Sequence, residues 1–281
     1  MSIVYDYNQL SSNLAWLQHK FPYIECNVIG KSVFDRSIYE LRIGSGEKVI
    51  HYNAAFHANE WITSLVLMTW IYQLLKSKIL DSLHAVQLSL VPMVNPDGVE
   101  LVSKGTVAAQ GLYNVEAMNE YKKDYCGWKA NIRGVDLNKQ YPANWHQYKK
   151  TVYCDAPYYR DYPGEEPLTE PESIAMRNLV ENNCFEAVFA LHTQGKEFYW
   201  GYYGYEPTNS KTLADEFERV SGYKAIQYTN SHAGFRDWFI SQYRKAGFTL
   251  ELGKGINPLP MSQFSEIYQQ TVPILYASLN M

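Results

Sequence analysis

The chain has 281 residues, of which 46% are hydrophobic and 19% are charged, and its formal net charge is −4. This length and composition suffice for a large buried core, and the 24 Tyr and 7 Trp residues exclude an intrinsically disordered chain. Charges of both signs are interspersed without a basic patch or stripe, so the sequence gives no indication of binding to nucleic acid or to a membrane surface.

The N-terminal residues MSIVYDYNQL lack the basic start, apolar run and cleavage site of a signal peptide, and Met1 suggests a native start. The longest apolar candidate, Trp61 to Leu75, is interrupted by polar residues and is shorter than the roughly 18 residues of a membrane helix. We therefore expect a cytoplasmic protein without membrane insertion. Its four cysteines should be free thiols, although Cys126 and Cys154 flank a loop-rich segment and could form a disulfide.

The first half of the chain predicts alternating helices and strands. Periodicity predicts a helix over residues 11–19, strands over 24–29, 37–43 and 49–56, a helix from about 60 to 79, and a strand over 86–94. The sequence NPDG at residues 95–98 then predicts a turn. Between residues 100 and 164 periodicity is weak, and so long an irregular segment inside a compact domain is usually functional.

The second half continues the alternation. Thr169 is the predicted N-cap of a helix that has Pro171 in its first turn and runs towards residue 182. Further predicted elements are strands over 187–191 and 248–252 and helices over 212–221, 234–245 and 263–279. Because strands and helices alternate without a repeat or a linker, we expect a single α/β domain over residues 1–281. Its largely parallel or mixed sheet should be covered by helices.

Polar side chains occur at the ends of the predicted strands. His57, Asn95, His192 and Glu251 all lie at or near the ends of apolar strand-like segments. In α/β sheets, ligands bind at the carboxyl ends of the strands. This shared position is the first indication of a functional site.

Three of the candidate residues have the side chains of a metal site. His57 and Glu60 are three residues apart, so both can lie on one face of a helical turn, and His192 would be a third ligand. The His57–Glu60 pair is weak evidence alone, because H-x-x-E occurs often by chance. His192 is also weak evidence alone, because a histidine after a buried strand is more often a core residue hydrogen-bonded within the protein than a metal ligand. Two histidines, one carboxylate and an open position nevertheless form a known catalytic site for one zinc ion.

Glu251 lies in the segment FTLEL, where its neighbours are apolar or small. A carboxylate in such a strand is costly unless it has a partner. It could form a salt bridge with a lysine or arginine. Alternatively, it could face a cleft with a pKa suited to moving a proton from the attacking water to the leaving amine.

Five segments in chain order, HANE, VPMVNPDG, GVDLNKQYP, LHTQ and FTLEL, resemble the zinc carboxypeptidase family, the carboxypeptidase A-like or funnelin peptidases. They cover most of the chain. The resemblance implies an eight-stranded mixed sheet flanked by helices. It also implies that His57, Glu60 and His192 bind zinc and that Glu251 is the general base and acid.

Two positions differ from the family pattern. Members that remove C-terminal residues have Asn-Arg where this chain has Asn138 and Lys139. A lysine lacks the planar guanidinium that holds a carboxylate through two parallel hydrogen bonds. The arginine that supports the oxyanion aligns with Lys129. We favour the nearby Arg133 for this role, because a guanidinium is always charged and can donate two hydrogen bonds. Tyr228, aligned with a gap, is the candidate for the tyrosine that closes over the substrate.

The segments WKANIRGVDLN and LHTQGKEFYWGY most resemble the bacterial branch of the family, the γ-D-glutamyl-diamino acid endopeptidases. These enzymes cut between γ-D-glutamate and meso-diaminopimelate, or lysine, in peptidoglycan stem peptides. A groove that contains Lys129, Arg133, Lys139 and Arg236 and is bordered by Tyr and Trp would suit so anionic a substrate. Arg236 could instead be an ordinary helix-surface charge, and His232 and Asp237 are weaker candidates for the lining.

The leading hypothesis is therefore a zinc peptidase that cuts stem peptides in the cytoplasm, during recycling of imported fragments or in a sporulating cell. An ordinary carboxypeptidase acting on L-peptides is a second hypothesis, against which Lys139 argues. A non-catalytic module that binds wall peptides is a third, and the presence of both Glu60 and Glu251 argues against it. The sequence does not indicate an oligomeric state.

Overall fold

The computed structural model describes residues 4–77, 79 and 85–281. The described helices are α1 Tyr7–Lys20, α2 Ile62–Lys76, α3 Pro96–Lys104, α4 Val115–Met118, α5 Trp145–Thr151, α6 Pro171–Glu181, α7 Ser210–Ser221, α8 Phe235–Tyr243 and α9 Phe264–Ala277. The described strands are β1 Glu25–Lys31, β2 Ser37–Ile43, β3 Lys48–Ala54, β4 Val86–Val91, β5 Phe185–Thr193, β6 Glu197–Tyr199, β7 Lys224–Ile226 and β8 Ala246–Leu252. Short 3₁₀ turns include Ala58–Glu60, Gly105–Ala109 and Leu137–Lys139. Across these described ranges, no helix has both the length and the apolar character needed to cross a membrane.

The strands of the described residues form one eight-stranded sheet in the order β1-β2-β4-β3-β5-β8-β6-β7. From β4 through β3 and β5 to β8, all neighbours are parallel. The β1/β2, β2/β4 and β8/β6 pairs are antiparallel, and β7 is parallel to β6. The expected mixed sheet flanked by helices is confirmed.

The central strands are buried on both faces. On one face, α2, α7 and α9 cover a core in which Phe189 stacks between Tyr52 and Phe248, with ring centroids 5.1 and 4.9 Å apart. On the other face, α6 and α8 cover Val188 and Ala190 of β5. Because side chains alternate along a strand, His192 shares the second face with Val188 and Ala190.

Residues 95–98 do not form the predicted isolated turn but begin helix α3. The Asn95 side chain accepts a hydrogen bond from the Gly98 N–H at 3.0 Å, and Pro96 is the first helical residue. Asparagine as N-cap followed by proline is a helix start as well as a turn signal. The weakly periodic stretch after residue 100 therefore begins with the end of a helix.

Several other boundaries differ from the prediction. Helix α1 begins at Tyr7, four residues before its predicted start, because Asp6 and Gln9 form a reciprocal capping box. The N-cap of α6 is Glu170 and not Thr169, so that prediction was wrong by one residue. Helix α2 ends at Lys76, whereas its predicted extension to residue 79 includes residue 78, outside the described residues. The short strands β6 and β7 were not predicted. All four cysteines are free, as expected.

The loop that carries Lys129 and Asp136 is fastened to the start of α6. The Asn131 side-chain amide donates to Glu170 at 2.7 Å and to Glu172 at 3.3 Å. Its oxygen accepts two backbone N–H groups within the loop, at 3.0 and 3.1 Å. Buried polar contacts thus hold the loop in place. One of them involves the Glu172 carboxyl, whose pKa is raised by burial.

Burial raises the pKa of Glu172 from 4.5 to about 8, and the neighbouring Asp97 and Glu170 carboxylates add to the shift. The folded protein therefore holds more protons than the unfolded chain between about pH 5 and pH 8, so this group's contribution to stability falls as pH rises. We expect Glu172→Gln to gain stability relative to the parent protein over that interval, measured by denaturant unfolding. Glu181→Gln, at the exposed end of α6, is the control. A stability difference independent of pH would contradict the assignment.

Candidate metal centre

Three adjacent parallel strands carry the candidate residues to one edge of the sheet. β3 ends at Ala54 and leads to His57, while His192 and Glu251 are the penultimate residues of β5 and β8. In the β5/β8 register, His192 is paired directly with Glu251. The sheet therefore brings together residues that are far apart in the sequence.

The side chains of His57, Glu60 and His192 meet in a buried cluster. Nδ1 of His57 lies 2.9 Å from Oε1 of Glu60, and Nδ1 of His192 lies 3.0 Å from Oε2. The two Nδ1 atoms are 3.2 Å apart. The residues are 6%, 1% and 1% exposed, so little of their surface is open to solvent.

This arrangement fits a single zinc ion. Donor atoms from all three residues lie within 4.8 Å of one another. With Zn–N bonds of about 2.0–2.1 Å in tetrahedral geometry, two ligand nitrogens are roughly 3.3 Å apart, close to the observed separation of the two Nδ1 atoms. Two imidazole nitrogens this close to each other and to a carboxylate form a set of ligand atoms that suits a cation.

Asp136 is a further member of the centre and was not predicted from the sequence. Its Oδ1 lies 3.2 Å from Nε2 of His57, the ring nitrogen opposite the proposed ligand atom. It also accepts the N–H groups of Asn138 and Asp161, at 3.0 and 3.3 Å, and is itself buried. A carboxylate there fixes the tautomer and orientation of a ligating histidine. Its place in the GVDLN segment was the available signal.

Glu60 is held from several sides. The Thr193 N–H donates to Oε2 at 3.2 Å, and the Asn257 side-chain amide lies 3.5 Å from Oε1. Burial alone would raise the pKa of Glu60, but His57 and His192 together lower it. The carboxylate is therefore ionised and oriented, as a metal ligand requires.

Glu251 faces the cavity beside this cluster. Burial raises its pKa to about 8, the Glu60 carboxylate adds to the shift, and the Lys129 ammonium opposes it. Over the described part of the chain, no lysine or arginine forms an ion pair with Glu251, so the internal salt bridge considered from the sequence is not found there. A cation bound at the neighbouring cluster would favour the ionised form.

Two cavities meet at the cluster. The first, about 900 Å³, extends past Asn257 and Arg160. The second, about 270 Å³, contains the residues near α8. Both are bordered by a shared set of side chains: His57, Lys129, Tyr199 and Glu251. A peptide lying across both would therefore place one of its bonds at the metal cluster.

The two candidate oxyanion residues lie in different places. The Lys129 ammonium is 3.9 Å from Oε1 of Glu60, and the Lys129 carbonyl accepts the Ala58 N–H at 3.0 Å. The Arg133 guanidinium instead lies 3.6 Å from Glu170 and donates to the Tyr113 hydroxyl at 3.3 Å, outside both cavities. The preference for Arg133 is therefore corrected, because the loop turns at residues 131–134 and directs it away.

The candidate substrate residues line the second cavity. Asn138 accepts the Phe235 N–H at 3.0 Å, and the Lys139 ammonium donates to Ser231 and to the His232 carbonyl at 2.7 and 3.1 Å. Arg236 also lines this cavity and is only 5% exposed, so it is not an ordinary surface charge. Asp237 lies beside it, whereas the His232 side chain lines a neighbouring aromatic groove.

Tyr228 lies outside both cavities. It is 52% exposed, and its hydroxyl donates to Glu206 at 2.8 Å. The next residue, Thr229, does line the second cavity. Tyr199 of the unpredicted strand β6 borders both cavities instead, and its hydroxyl donates to Glu197 at 2.5 Å.

Comparisons with known proteins agree with the fold and with the metal cluster described above. γ-D-Glutamyl-L-diamino acid endopeptidase 1 from Lysinibacillus sphaericus is 46% identical over 286 residues, which cover 98% of this chain and 72% of that protein. The uncharacterized protein YqgT of Bacillus subtilis (strain 168) is 47% identical over 293 residues, covering 98% of this chain and 77% of that protein. The crystal structure of carboxypeptidase A from Helicoverpa armigera superposes with a TM-score of 0.75 at 20% identity, over 99% of this chain and 73% of that one. This structural likeness shows the fold.

The family model described as zinc carboxypeptidase matches residues 11–274. Its match spans the two histidines and the glutamate of the buried cluster, which confirms the expected use of one zinc ion. The chain therefore belongs to the zinc carboxypeptidase family and is a zinc metallopeptidase.

Proposed function

We propose that this protein hydrolyses the bond between γ-D-glutamate and a diamino acid in peptidoglycan stem peptides. The observation that carries the proposal is its 46% identity, over 98% of the chain, to a protein named for that activity. The cations Lys129, Lys139 and Arg236 around the second cavity support it, because such a peptide carries carboxylates on both sides of the bond to be cut.

In the proposed mechanism, His57, Glu60 and His192 hold the zinc ion. When bound, zinc supplies a Lewis acid that polarises the carbonyl and makes water reactive near neutral pH. Glu251 removes a proton from the attacking water and delivers it to the leaving nitrogen. The Lys129 ammonium stabilises the negative charge that develops on the carbonyl oxygen. The C–N bond then breaks, releasing a glutamyl γ-carboxylate and the amino group of the diamino acid.

On the leaving side, Asn138, Lys139 and Arg236 are proposed to bind the substrate. Lys139 already donates to Ser231 and His232, which supports a role other than gripping the terminal carboxylate of an L-peptide. Tyr228 remains a proposed capping residue, and it would first have to leave its partner Glu206.

We also propose a cytoplasmic location, with a role in recycling wall fragments or in sporulation. Four free thiols are in keeping with a reducing compartment. Recovery of the native protein mainly outside the cell membrane after fractionation would contradict this part of the proposal.

A mass-spectrometric assay of defined peptides tests the activity. L-Ala-γ-D-Glu-diaminopimelate, with and without a following D-Ala, should be cut at the γ-glutamyl bond, and a zinc chelator should abolish the cut. Turnover of a simple L-dipeptide alone would favour the ordinary carboxypeptidase. A protein that binds the peptides without cutting them, even with zinc added, would favour the binding module.

Glu251→Gln should retain zinc but lose roughly 10²- to 10⁴-fold in kcat, because the shape is kept and only proton transfer is lost. Zinc content and turnover are measured on the same preparation. Glu186→Gln, an exposed glutamate near the opposite end of β5, is the matched control. Near-normal turnover of the Glu251 variant would remove Glu251 from the mechanism.

Asp136→Asn should weaken zinc binding by about 10- to 100-fold, because it removes the carboxylate that orients His57. Competition with a fluorescent chelator measures the affinity. His192→Ala, which removes a ligand, should lose more affinity, and Asp215→Asn, on the exposed face of α7, should lose none. Equal affinity of the Asp136 variant and the parent protein would refute the orienting role.

The different positions of Lys129 and Arg133 lead to a direct comparison. Lys129→Met should lower kcat by about 10²- to 10³-fold, as expected when a group that stabilises the oxyanion is removed. Arg133→Met should have a much smaller effect, because its guanidinium is directed towards Glu170 and Tyr113. Stopped-assay kinetics at matched zinc content provide the measurement. The reverse order of effects would return the role to Arg133.

A further inference from the structure

We infer that Arg160 is a specificity-determining residue, which recognises the free α-carboxylate of the γ-D-glutamyl residue on the acyl side of the bond to be cut. The inference rests on the proposed function and deepens it. It makes the enzyme selective for stem peptides in which this group is an ionised carboxylate over those in which it is a carboxamide.

The first cavity carries positive charge away from the metal cluster. The described residues that line it there include the cations Lys122, Lys123 and Arg160, against the one carboxylate of Asp124. Because the residues proposed to bind the leaving side line the second cavity, the acyl part of the peptide lies in the first. In a γ-linked glutamate, three carbon atoms separate the α-carboxylate from the reacting carbonyl, a span of roughly 5 Å when extended. The anion therefore lies in this cavity.

The backbone on both sides of Arg160 is tied to the reacting groups. The Tyr159 carbonyl accepts the Lys129 N–H at 2.8 Å. On the other side, the Asp161 N–H donates to Oδ2 of Asp136 at 3.3 Å. Arg160 is therefore held between the segment that carries the oxyanion lysine and the carboxylate that orients a metal ligand.

Asp161 adopts the left-handed backbone conformation, with φ of 67°. This conformation is uncommon for a residue other than glycine, and such residues cluster at functional sites. The Tyr148 hydroxyl supports it by donating to the Asp161 carbonyl at 3.0 Å. Arg160 borders the first cavity and Asp161 borders the second, so this pair lies where the two cavities adjoin.

The guanidinium of Arg160 is held at one end and open at the other. Its Nε donates to Oδ2 of Asp161 at 2.7 Å, and the Tyr153 hydroxyl donates to the same oxygen at 3.2 Å. Nη1 and Nη2 make no hydrogen bond to any residue within 4–77, 79 and 85–281. The side chain is 43% exposed, so these donors are accessible to a ligand. Two free nitrogens on one planar group match the two oxygens of a carboxylate.

The other cations of the first cavity suit this role less well. Lys122 forms an ion pair with Glu120, and the Lys129 ammonium is directed at the metal cluster. Lys123 is exposed and lacks the two parallel donors of a guanidinium. Arg160 therefore combines free donors with a fixed orientation.

Two peptides test the inference on the unaltered zinc-loaded protein. They are L-Ala-γ-D-Glu-meso-diaminopimelate and the same peptide with the α-carboxylate of its glutamate converted to a carboxamide. We expect kcat/KM to be at least about tenfold lower for the carboxamide, because a hydrogen bond is stronger when its acceptor is charged. Equal kcat/KM for the two peptides would overturn this inference and leave the proposed function intact. Turnover of neither would overturn both.

Substitution of Arg160 tests which residue is responsible. Arg160→Gln should raise KM for the carboxylate peptide about tenfold and abolish its advantage over the carboxamide. Arg160→Lys should restore part of that advantage by restoring the charge. Lys123→Gln tests the competing cation and should leave the advantage intact, as should Arg219→Gln, an exposed arginine paired with Glu216. Persistence of the advantage in Arg160→Gln, or its loss in Lys123→Gln, would refute the assignment.

Zinc affinity separates recognition from a structural role. Because Asp161 donates to Asp136, a disturbed loop should weaken zinc binding, whereas Arg160→Gln should keep the zinc affinity of the parent protein in chelator competition. In a Glu251→Gln background, calorimetry should give a Kd that Arg160→Gln weakens about tenfold for the carboxylate peptide and leaves unchanged for the carboxamide. Lost zinc affinity, or equal weakening for both peptides, would overturn the recognition role.

Discussion

The parallel register of β3, β5 and β8 determines where His57, His192 and Glu251 lie relative to one another. His192 is paired with Glu251 across β5 and β8, and Leu191 is paired with Ala54 at the end of β3. A slip of one residue would turn His192 to the opposite face of the sheet. The stack of Phe189 with its aromatic neighbours on adjacent strands resists such a slip. The metal centre therefore depends on apolar packing well below it.

The site also contains several charged side chains that are almost completely buried. Glu60 and Asp136 are each about 1% exposed, and burial of either carboxylate alone would be strongly unfavourable. They are compensated by the imidazoles of His57 and His192 and, in the active protein, by zinc. Metal binding should therefore contribute to the stability of this end of the sheet as well as to its chemistry. The hydrogen bonds of Asn131 extend this polar network to α6.

The apolar strands and the family motifs were enough to locate the metal cluster from the sequence, because both histidines lie in or just after a recognisable apolar strand and Glu60 follows His57 by three residues. They did not locate Asp136, since its role depends on a loop folding back onto His57. They also misplaced Arg133, because four residues of separation from Lys129 suggested proximity, whereas the turn around Asn131 directs the two side chains apart. The position of Tyr228 likewise depends on loop conformation, which local patterns do not encode.

The start of α3 shows how far the requirements of catalysis extend. A Cβ atom on Gly98 would lie 2.6 Å from the Ala130 carbonyl oxygen and 2.8 Å from the Ala58 Cβ. These two alanines directly follow Lys129 and His57, so any side chain at position 98 would displace both segments. The residue choices open to evolution at this glycine are therefore set by the zinc chemistry, although it would touch neither the ion nor a bound peptide. Surveys of mutational tolerance would group it with the catalytic residues.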